Sequence, residues 1–327
     1  MSAEVYVAET QVQGFHALTL ANQVLSLTII PDLGGKISSI RDRRTDREWL
    51  WTNPGLPYQQ QDYGTSYVQK ADSGGWDECF PTVAACSYPA EPWQGLPMPD
   101  HGEIWSQPWT VQVEGNPATT ITLSSEVQGV RLPYVFQRRI SIHPDSPLLR
   151  FDYSVKNLAD SAVRFIWSAH PLFAVEPGMQ IRLPKETAMR VWSRFPSGFL
   201  SEKEEYPWPI QTRANGKMLN LNAMPDIATG IACKLWSQPL SQGYAVLGTE
   251  KEEFCFTFDP AFLQIGLWVN AHGWSGTGEK SYYNLALEPC IGAQDSLEEA
   301  VGQYGQYRTL SAHGTETWWL EVHLNMK

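Results

Sequence analysis

Two histidines lie where the chain could hold them for proton transfer. His101 ends a proline-rich segment, and Gly102 directly after it allows another group to approach closely. His170 ends the apolar segment 165–170, and Pro171 follows where that predicted strand breaks. Because the unperturbed pKa of histidine is about 6.5, either side chain could donate or accept a proton near neutral pH. Each could instead be a hydrogen-bonded structural residue.

One carboxylate stands out in a late apolar segment. Asn284 and Glu288 share one face of a predicted strand, whereas Leu285 and Leu287 share the other face. Burying a carboxylate is costly unless the group is paired or chemically useful. Glu288 is therefore a candidate for a chemical role, and the alternative is a structural ion pair with one of the arginines.

The elements that would position these side chains are predicted strands. Polar and apolar residues alternate in five segments, as is typical of half-buried antiparallel strands. These segments are residues 25–29, 121–127, 149–156, 253–258 and 318–324. The helical signal is confined to residues 296–304, where Ser296 and Glu299 have the spacing of a capping box. We predict an all-β fold of antiparallel strands, because strands do not alternate with helices as they would in a doubly wound sheet.

Two long segments interrupt the strands, residues 51–101 and residues 192–224. Both contain several prolines together with Trp and Tyr. Long loops in a compact domain are usually functional, so we expect both segments to be ordered over a cleft. No shift in composition marks a linker, and the prediction is a single domain over residues 1–327.

The composition limits the class of protein. The chain has 327 residues and a net charge of −11, with 43% hydrophobic and 18% charged residues. It is too apolar for a disordered chain, and no apolar run reaches the ~20 residues that cross a bilayer. Its acidic balance argues against a nucleic-acid or anionic-membrane partner. The 14 Trp, 13 Tyr and 12 Phe fit either the core of a β protein or a cleft whose rings contact a sugar.

The five cysteines predict neither a disulfide framework nor a metal site. Their number is odd, their spacing is irregular and no CxxC pair is present. No spacing of His, Cys and Asp resembles a catalytic zinc site. The first residues lack a basic segment followed by an apolar stretch, so no secretory signal is predicted. We expect a reduced, cytoplasmic protein.

Several segments together resemble the aldose 1-epimerase, or galactose mutarotase-like, family. Residues 33–42 are similar to the opening glycine-rich hairpin of that family, residues 101–102 to its first His motif and residues 170–173 to its second. Trp268 and residues 287–289 resemble its late tryptophan and its catalytic glutamate. The motifs occur in the family's order, with separations of 170 − 101 = 69 and 288 − 170 = 118 residues.

This resemblance implies a fold and a reaction. The fold is a super-sandwich of antiparallel sheets, and the reaction interconverts the α and β anomers of a free sugar. A base takes the proton of the anomeric hydroxyl while an acid protonates the ring oxygen, and the opened ring closes again after rotation about C1–C2. By the resemblance, Glu288 would be the base, His170 the acid, and His101 would hold the ring oxygen or a neighbouring hydroxyl. The chemistry requires neither a metal nor a cofactor.

The chain departs from the galactose-type branch at residues 168–171 and 75–81, so the identity of the sugar stays open. In the second of these segments, Asp77 and Glu78 are predicted to accept hydrogen bonds from sugar hydroxyls, unless they are structural loop carboxylates. Trp76 and Trp268 are the predicted stacking residues, with plain core packing as the alternative.

The sequence is compatible with two other functions. One is a carbohydrate-binding protein of the same fold, which would not need an acid and a base together. The other is a glycoside hydrolase or lyase that uses Asp77 or Glu78 with Glu288, a reaction that needs two carboxyl groups about 5–9.5 Å apart. The predicted partner is a neutral saccharide and not a sugar phosphate, because Glu103 follows the first His motif and would repel a phosphate group. The oligomeric state is not specified by the sequence.

Overall fold

Antiparallel strands dominate the computed structural model, which describes residues 4–262, 264–276, 281–292 and 294–327. The strands in chain order are β1 (Tyr6–Val12), β2 (Phe15–Ala21), β3 (Leu25–Ile30), β4 (Lys36–Asp42), β5 (Arg47–Glu48), β6 (Trp76–Cys79), β7 (Cys86–Ser87), β8 (Pro97–Met98), β9 (Thr110–Asn116), β10 (Thr120–Gln128), β11 (Tyr134–Ile142), β12 (Leu148–Asn157), β13 (Val163–Phe165), β14 (Trp167–Phe173), β15 (Gln180–Arg182), β16 (Ala188–Phe195), β17 (Glu205–Pro207), β18 (Gln211–Ala214), β19 (Lys217–Asn220), β20 (Ile231–Ser237), β21 (Tyr244–Gly248), β22 (Glu252–Phe258), β23 (Gln264–Ala271), β24 (Tyr283–Ile291), β25 (Arg308–Leu310) and β26 (Thr315–Met326).

The helical elements are short. They are α1 (Tyr67–Lys70), a 3₁₀ turn (Ile227–Thr229), and α2 (Leu297–Glu299), which continues into a wider turn (Ala300–Tyr304). Half of the predicted capping box is present, since the hydroxyl of Ser296 accepts a hydrogen bond from the backbone N–H of Glu299. No helix in the part of the chain that the structure describes is long and apolar enough to span a membrane.

All five alternating segments form strands, in β3, β10, β12, β22 and β26. In β12, Leu149, Phe151, Tyr153 and Val155 are buried, and the polar residues between them keep contact with solvent. Alternation therefore identifies the strands correctly, because successive side chains point to opposite faces of a sheet. The all-β prediction is confirmed.

The strands form two large antiparallel sheets. The first sheet has 12 strands in the order β1-β2-β3-β4-β6-β14-β24-β23-β20-β16-β17, with β5 paired to β4. The second sheet has eight strands in the order β15-β21-β22-β26-β12-β11-β10-β9. Many strands that follow one another in the chain pair as antiparallel hairpins, as β1 to β4 and β9 to β12 do.

Aromatic side chains fill the space between the two sheets. Trp76 of β6 stacks on Phe151 of β12, with 4.9 Å between ring centroids. Trp167 of β14 lies 5.2 Å from Trp318 of β26. The first sheet thus packs one face against the second sheet, in the layered arrangement expected for a super-sandwich. The opposite face of the first sheet is covered by loops.

Candidate active site

A cavity lies on the face of the first sheet that points away from the second sheet. Its volume is about 230 Å³. Pockets for drug-sized ligands typically measure roughly 300–1,000 Å³, so this cavity suits one small molecule. Its lining comes from the central strands and from the covering loops, and consists of Tyr67, Val68, Asp72, Val83, His101, His170, Leu172, Trp192, Ser193, Phe195, Lys234, Trp268, Trp274 and Asp295.

One wall of the cavity is aromatic. Trp268 of β23 lies edge-on to Trp274, with 5.6 Å between ring centroids. Trp192 and Phe195 of β16 complete the wall. Flat apolar rings of this kind can pack against the C–H face of a sugar. The structure places Trp268 in this wall, and its stacking on a sugar stays a prediction.

The two predicted histidines meet in the cavity. Their rings are perpendicular, with 4.9 Å between centroids. His101 has a left-handed backbone with φ of 61°, and its ring stacks on Tyr67 at 3.9 Å. Nδ1 of His101 lies 2.8 Å from a carboxylate oxygen of Asp100, which leaves its Nε2 for another partner. His170 comes from β14, whose residues are all buried.

The pKa values of the two histidines are shifted in opposite directions. Burial alone would lower the pKa of His101, but the carboxylates of Asp100 and Asp72 raise it above the ordinary value. Burial lowers the pKa of His170 well below the ordinary value, and the positive charges of His101 and Lys234 lower it further. Near neutral pH, His170 is therefore neutral, whereas His101 is protonated to a greater extent than a free histidine.

Glu288 lies directly beneath the cavity, in an ion pair with a lysine. Both of its carboxylate oxygens are 2.5 Å from Nζ of Lys234, and its side chain has no exposed surface. The hydroxyl of Ser168 donates to Oε2 at 3.3 Å, and Nε2 of His170 lies 4.0 Å from Oε1. The ion-pair alternative is thus realised with a lysine and not with an arginine.

Lys234 is a site residue that the sequence analysis missed. It is the charged member of β20, whose seven residues are all buried. Burial alone would lower the pKa of Lys234, but Glu288 and Asp295 raise it. A single lysine inside the apolar run 231–236 is a signal that could have identified it, because a buried ammonium group requires a partner.

Two cavity carboxylates, Asp72 and Asp295, were also missed. Burial raises the pKa of each to about 6. Both lie in loops outside any strand or helix, so no periodic pattern singles them out. A carboxyl group with a pKa near the working pH is well suited to exchange protons with a substrate.

Trp76 and Glu78 point away from the cavity. Trp76 has no exposed surface and packs between the sheets. Glu78, two residues later on the same face of β6, accepts hydrogen bonds from Arg138, Tyr153 and Trp167 at 2.9–3.0 Å. Because neighbouring positions of a strand face opposite sides, the predicted sugar contacts of these two residues do not match their placement in the core.

Asp77 faces the cavity side of the sheet but does not line the cavity. It pairs in register with His170, and its Oδ2 is bound by the ammonium group of Lys36 and by the hydroxyl of Tyr67. Asp77 therefore fixes the position of the Tyr67 side chain, which does line the cavity.

Glu103 is buried outside the cavity, where it accepts hydrogen bonds from Tyr63 and from the backbone of Arg131. The predicted repulsion between Glu103 and a phosphate in this cavity is therefore not supported.

Neither metal clusters nor disulfides appear among the described residues. Within residues 4–262, 264–276, 281–292 and 294–327, no group of three or more His, Cys, Asp or Glu side chains has the arrangement to hold a metal ion. The five cysteines are unpaired.

Comparison with known proteins identifies the family. The sequence profile of the aldose 1-epimerase family matches residues 16–205. No curated protein matches the chain. Among solved structures, a candidate aldose 1-epimerase from Klebsiella pneumoniae has a TM-score of 0.69 at 15% identity, and the match covers 98% of this chain and 83% of that one.

Two other solved structures are similar over nearly their whole length. A galactose mutarotase-like protein from Clostridium acetobutylicum has a TM-score of 0.65 at 12% identity, with 99% of both chains covered. A protein from Synechocystis has a TM-score of 0.65 at 14% identity, with 99% of this chain and 96% of that one covered. At these identities the likeness establishes the fold alone, and the profile match over more than half of the sequence shows that the chain belongs to the aldose 1-epimerase family.

Proposed function

We propose that this protein interconverts the α and β anomers of a free sugar by acid–base ring opening. One observation carries the proposal: a cavity of about 230 Å³ holds two histidines whose pKa values are shifted in opposite directions, next to carboxylates and an aromatic wall. Ring opening needs a proton donor and a proton acceptor around one anomeric carbon. Each well-placed acid or base typically contributes about 10²–10⁴-fold to the rate.

The proton donor that we assign is His101. A donor has to hold its proton before the reaction begins, and the raised pKa of His101 favours that state. The lowered pKa of His170 does not, although the family resemblance gave the acid role to His170. In this proposal Nε2 of His101 protonates the ring oxygen, and neutral His170 holds a sugar hydroxyl.

The proton acceptor is a carboxylate at the floor of the cavity. Two carboxylates are candidates for this role: Asp295, which lines the cavity, lies 3.9 Å from Nζ of Lys234, and Glu288, which lies beneath the cavity, is 2.5 Å from the same atom. When the acceptor takes the proton of the anomeric hydroxyl, the C1–O1 bond becomes a carbonyl, and the bond from C1 to the ring oxygen breaks as that oxygen receives a proton from His101. Ring closure runs these steps in reverse on the other face of C1. Lys234 stabilises negative charge near the anomeric oxygen.

A neutral monosaccharide fits the charges of the cavity best. Lys234 is already paired with Glu288, and His101 is paired with Asp100. Asp72 and Asp295 add negative charge, and no arginine is among the described residues that line the cavity. A phosphate dianion would meet carboxylates without the bidentate arginine that phosphate recognition favours.

A carbohydrate-binding protein without turnover is the second candidate, since the aromatic wall alone could hold a sugar. The hydrolase alternative named Asp77 or Glu78 with Glu288, and none of these three residues lines the cavity.

Exchange NMR on the purified protein tests the proposal. Glucose, galactose and other free aldoses are each mixed with the protein, and saturation transfer between the α and β anomeric protons measures the exchange rate. We expect faster exchange for at least one neutral aldose and none for its 6-phosphate. Line broadening of a sugar without faster exchange would support the binding protein instead. A tenfold preference for the phosphate would contradict the neutral-sugar assignment.

A further inference from the structure

We infer that Asp100 is a positioning residue for His101, because its carboxylate fixes which ring nitrogen of His101 faces the cavity. This role rests on the proposed ring-opening reaction, in which Nε2 of His101 meets the ring oxygen of the sugar. Asp100 itself does not line the cavity. It therefore acts on the reaction through His101 and not through contact with the sugar.

The carboxylate of Asp100 bridges two groups of hydrogen-bond donors. Its Oδ1 lies 2.8 Å from Nδ1 of His101. Its Oδ2 accepts hydrogen bonds from the backbone N–H of Val68 at 3.2 Å and from the hydroxyl of Ser66 at 3.3 Å. Ser66 and Val68 are at the start of α1. A single side chain thus connects this helix with the loop that carries His101.

An ionised carboxylate suits both sides of this bridge, because it accepts at each oxygen and has no proton to donate. Nδ1 of His101 therefore has to carry a proton in order to form its contact with Asp100. Neutral His101 then has an unprotonated Nε2, and protonated His101 presents an N–H at Nε2. Burial alone would raise the pKa of Asp100, but the charge of His101 and the hydrogen bonds from the start of α1 lower it below the ordinary value.

The imidazole of His101 is held on its face as well as at Nδ1. Tyr67 stacks on it with 3.9 Å between ring centroids and 15° between the ring planes. The hydroxyl of Tyr67 donates to Oδ2 of Asp77 at 2.7 Å. Because Tyr67 is the first residue of α1, the hydrogen bonds between Asp100 and the start of this helix also hold the stacking ring in place.

Other charged and titratable groups also surround His101. Burial alone would lower the pKa of His101, and the carboxylate of Asp100 and, to a smaller extent, that of Asp72 raise it above the ordinary value. Asp100 is hydrogen-bonded to the ring, whereas Asp72 acts on it through charge alone. The groups that face His101 from neighbouring elements are Tyr67 of α1, Asp72 before β6, His170 of β14, Lys234 of β20 and Asp295 after β24.

The backbone around Asp100 is held without its carboxylate. The indole N–H of Trp105 donates to the carbonyl oxygen of Asp100 at 2.9 Å. The backbone N–H of His101 donates to the carbonyl oxygen of Val83 at 2.6 Å. Replacing the carboxylate by an amide of the same shape should therefore leave the loop folded, and a thermal melt checks this.

Long-range proton–nitrogen NMR of the histidine rings tests the inference without a substrate. In the wild-type protein, neutral His101 should carry its proton on Nδ1, and the His101→Asn variant identifies its signals by their loss. In Asp100→Asn the midpoint of the His101 titration should move to lower pH by about 1–3 units, because the amide carries no charge. Asp62→Asn, at an exposed position before α1, is the matched control and should leave the midpoint unchanged.

Exchange NMR then measures the same change in the reaction. Wild-type kcat should fall as pH rises through the pKa of His101, and in Asp100→Asn this fall should begin at lower pH, with kcat at pH 8 at least about tenfold below wild type. The ratio of wild-type to variant kcat should shrink as pH decreases, because His101 is then protonated in both proteins. A loss of packing alone would lower kcat by the same factor at every pH.

Three results would overturn the inference. They are a proton on Nε2 of neutral His101 in the wild-type protein, an unchanged His101 midpoint in Asp100→Asn, and a larger shift of that midpoint in Asp72→Asn than in Asp100→Asn. The first result needs no variant, so it decides the matter even where Asp100→Asn does not fold. The proposed function fails in a different way, since wild-type protein would then exchange no aldose at any pH while the ring-nitrogen measurements would still stand.

Discussion

Two imidazole rings 4.9 Å apart differ mainly in their partners. His101 has the carboxylate of Asp100 on Nδ1, whereas Nδ1 of His170 is buried and forms no hydrogen bond with any described residue. Each histidine also acts on the other, because a positive charge on His101 disfavours a second one on His170. The pair is thus arranged to carry one proton.

Replacing each histidine in turn should separate their roles. We expect His101→Asn to lower kcat by about 10²–10⁴-fold, and His170→Asn to act mainly on KM. Wild-type kcat should fall as pH rises through the raised pKa of His101, since the donor is then deprotonated, and His170→Asn should keep this fall. Exchange NMR across pH measures both effects. Equal and small losses in the two variants would show that both histidines are structural.

Asp72 should reduce the stability of the folded protein at neutral pH. Its pKa is raised from 3.8 to about 6 on folding, so the folded state binds more protons than the unfolded state between those values. The free energy of unfolding then decreases as pH rises through this window. Asp72→Asn should raise it by up to about 3 kcal/mol at pH 8 and change little at pH 4.

Urea unfolding at the two pH values measures this effect. Asp62→Asn, at an exposed position before α1, is the control and should change stability by less than about 0.5 kcal/mol. An equal effect of Asp72→Asn at pH 4 and pH 8 would show that its carboxyl group is not the cause.

At the scale of elements, the cavity is built from strands on one side and loops on the other. Strand register places His170 of β14 opposite Asp77 of β6, and Trp268 of β23 opposite Lys234 of β20.

The loop that carries His101 packs closely, backbone against backbone, on the residue that follows β6. Gly102 has φ of +78°, and a Cβ atom there would lie 2.1 Å from the carbonyl oxygen of Phe80. The conformation of His101 therefore depends on the glycine that follows it.

Gly102→Ala should displace His101 and destabilise the fold. The added methyl group meets backbone and the left-handed conformation is strained, so we expect a loss of more than about 1 kcal/mol and a fall in kcat. Thermal melts and exchange NMR measure the two effects. Gly95→Ala in the same proline-rich loop has φ of +82° but nothing within 4 Å, and it isolates the backbone cost. Similar losses in both variants would rule out the contact with Phe80.

The sequence predicts the strands correctly, but it does not predict which strand faces are buried or which distant side chains pair in the folded protein. Period-two alternation identified β12 and the other half-buried strands because it follows directly from strand geometry. It does not tell which face of β6 meets the second sheet, and Trp76 and Glu78, which are predicted to contact a ligand, lie in the core. A buried lysine can be suspected from the apolar run around Lys234, but its partner Glu288 is found only when the strands are paired, because the two are 54 residues apart in the chain.

At the scale of the molecule, a buried ion pair joins the two sheets. Arg138 of β11 donates to Glu78 of β6 at 3.0 Å, and neither side chain has exposed surface. The guanidinium group of Arg138 also lies 4.9 Å from the ring of Trp109. Removing one member of such a pair leaves an uncompensated charge in the core, which is more costly than the pair itself is stabilising.

Glu78→Gln should therefore destabilise the protein by about 3 kcal/mol, because Arg138 loses its counter-ion. Chemical unfolding measures the loss. The folded fraction should keep a KM within threefold of wild type, since Glu78 does not line the cavity. Glu126→Gln, an exposed position of the second sheet, is the control. A large rise in KM with unchanged stability would restore Glu78 as a sugar contact.

The aromatic wall has an optical consequence. Three of the 14 tryptophans, Trp192, Trp268 and Trp274, line the cavity, whereas others, such as Trp49 and Trp167, are fully buried. A sugar packed on the wall would remove water from these three indoles alone, so emission should shift to shorter wavelength as the cavity fills. Fluorescence titration would then give the affinity of variants with little remaining turnover, including His101→Asn.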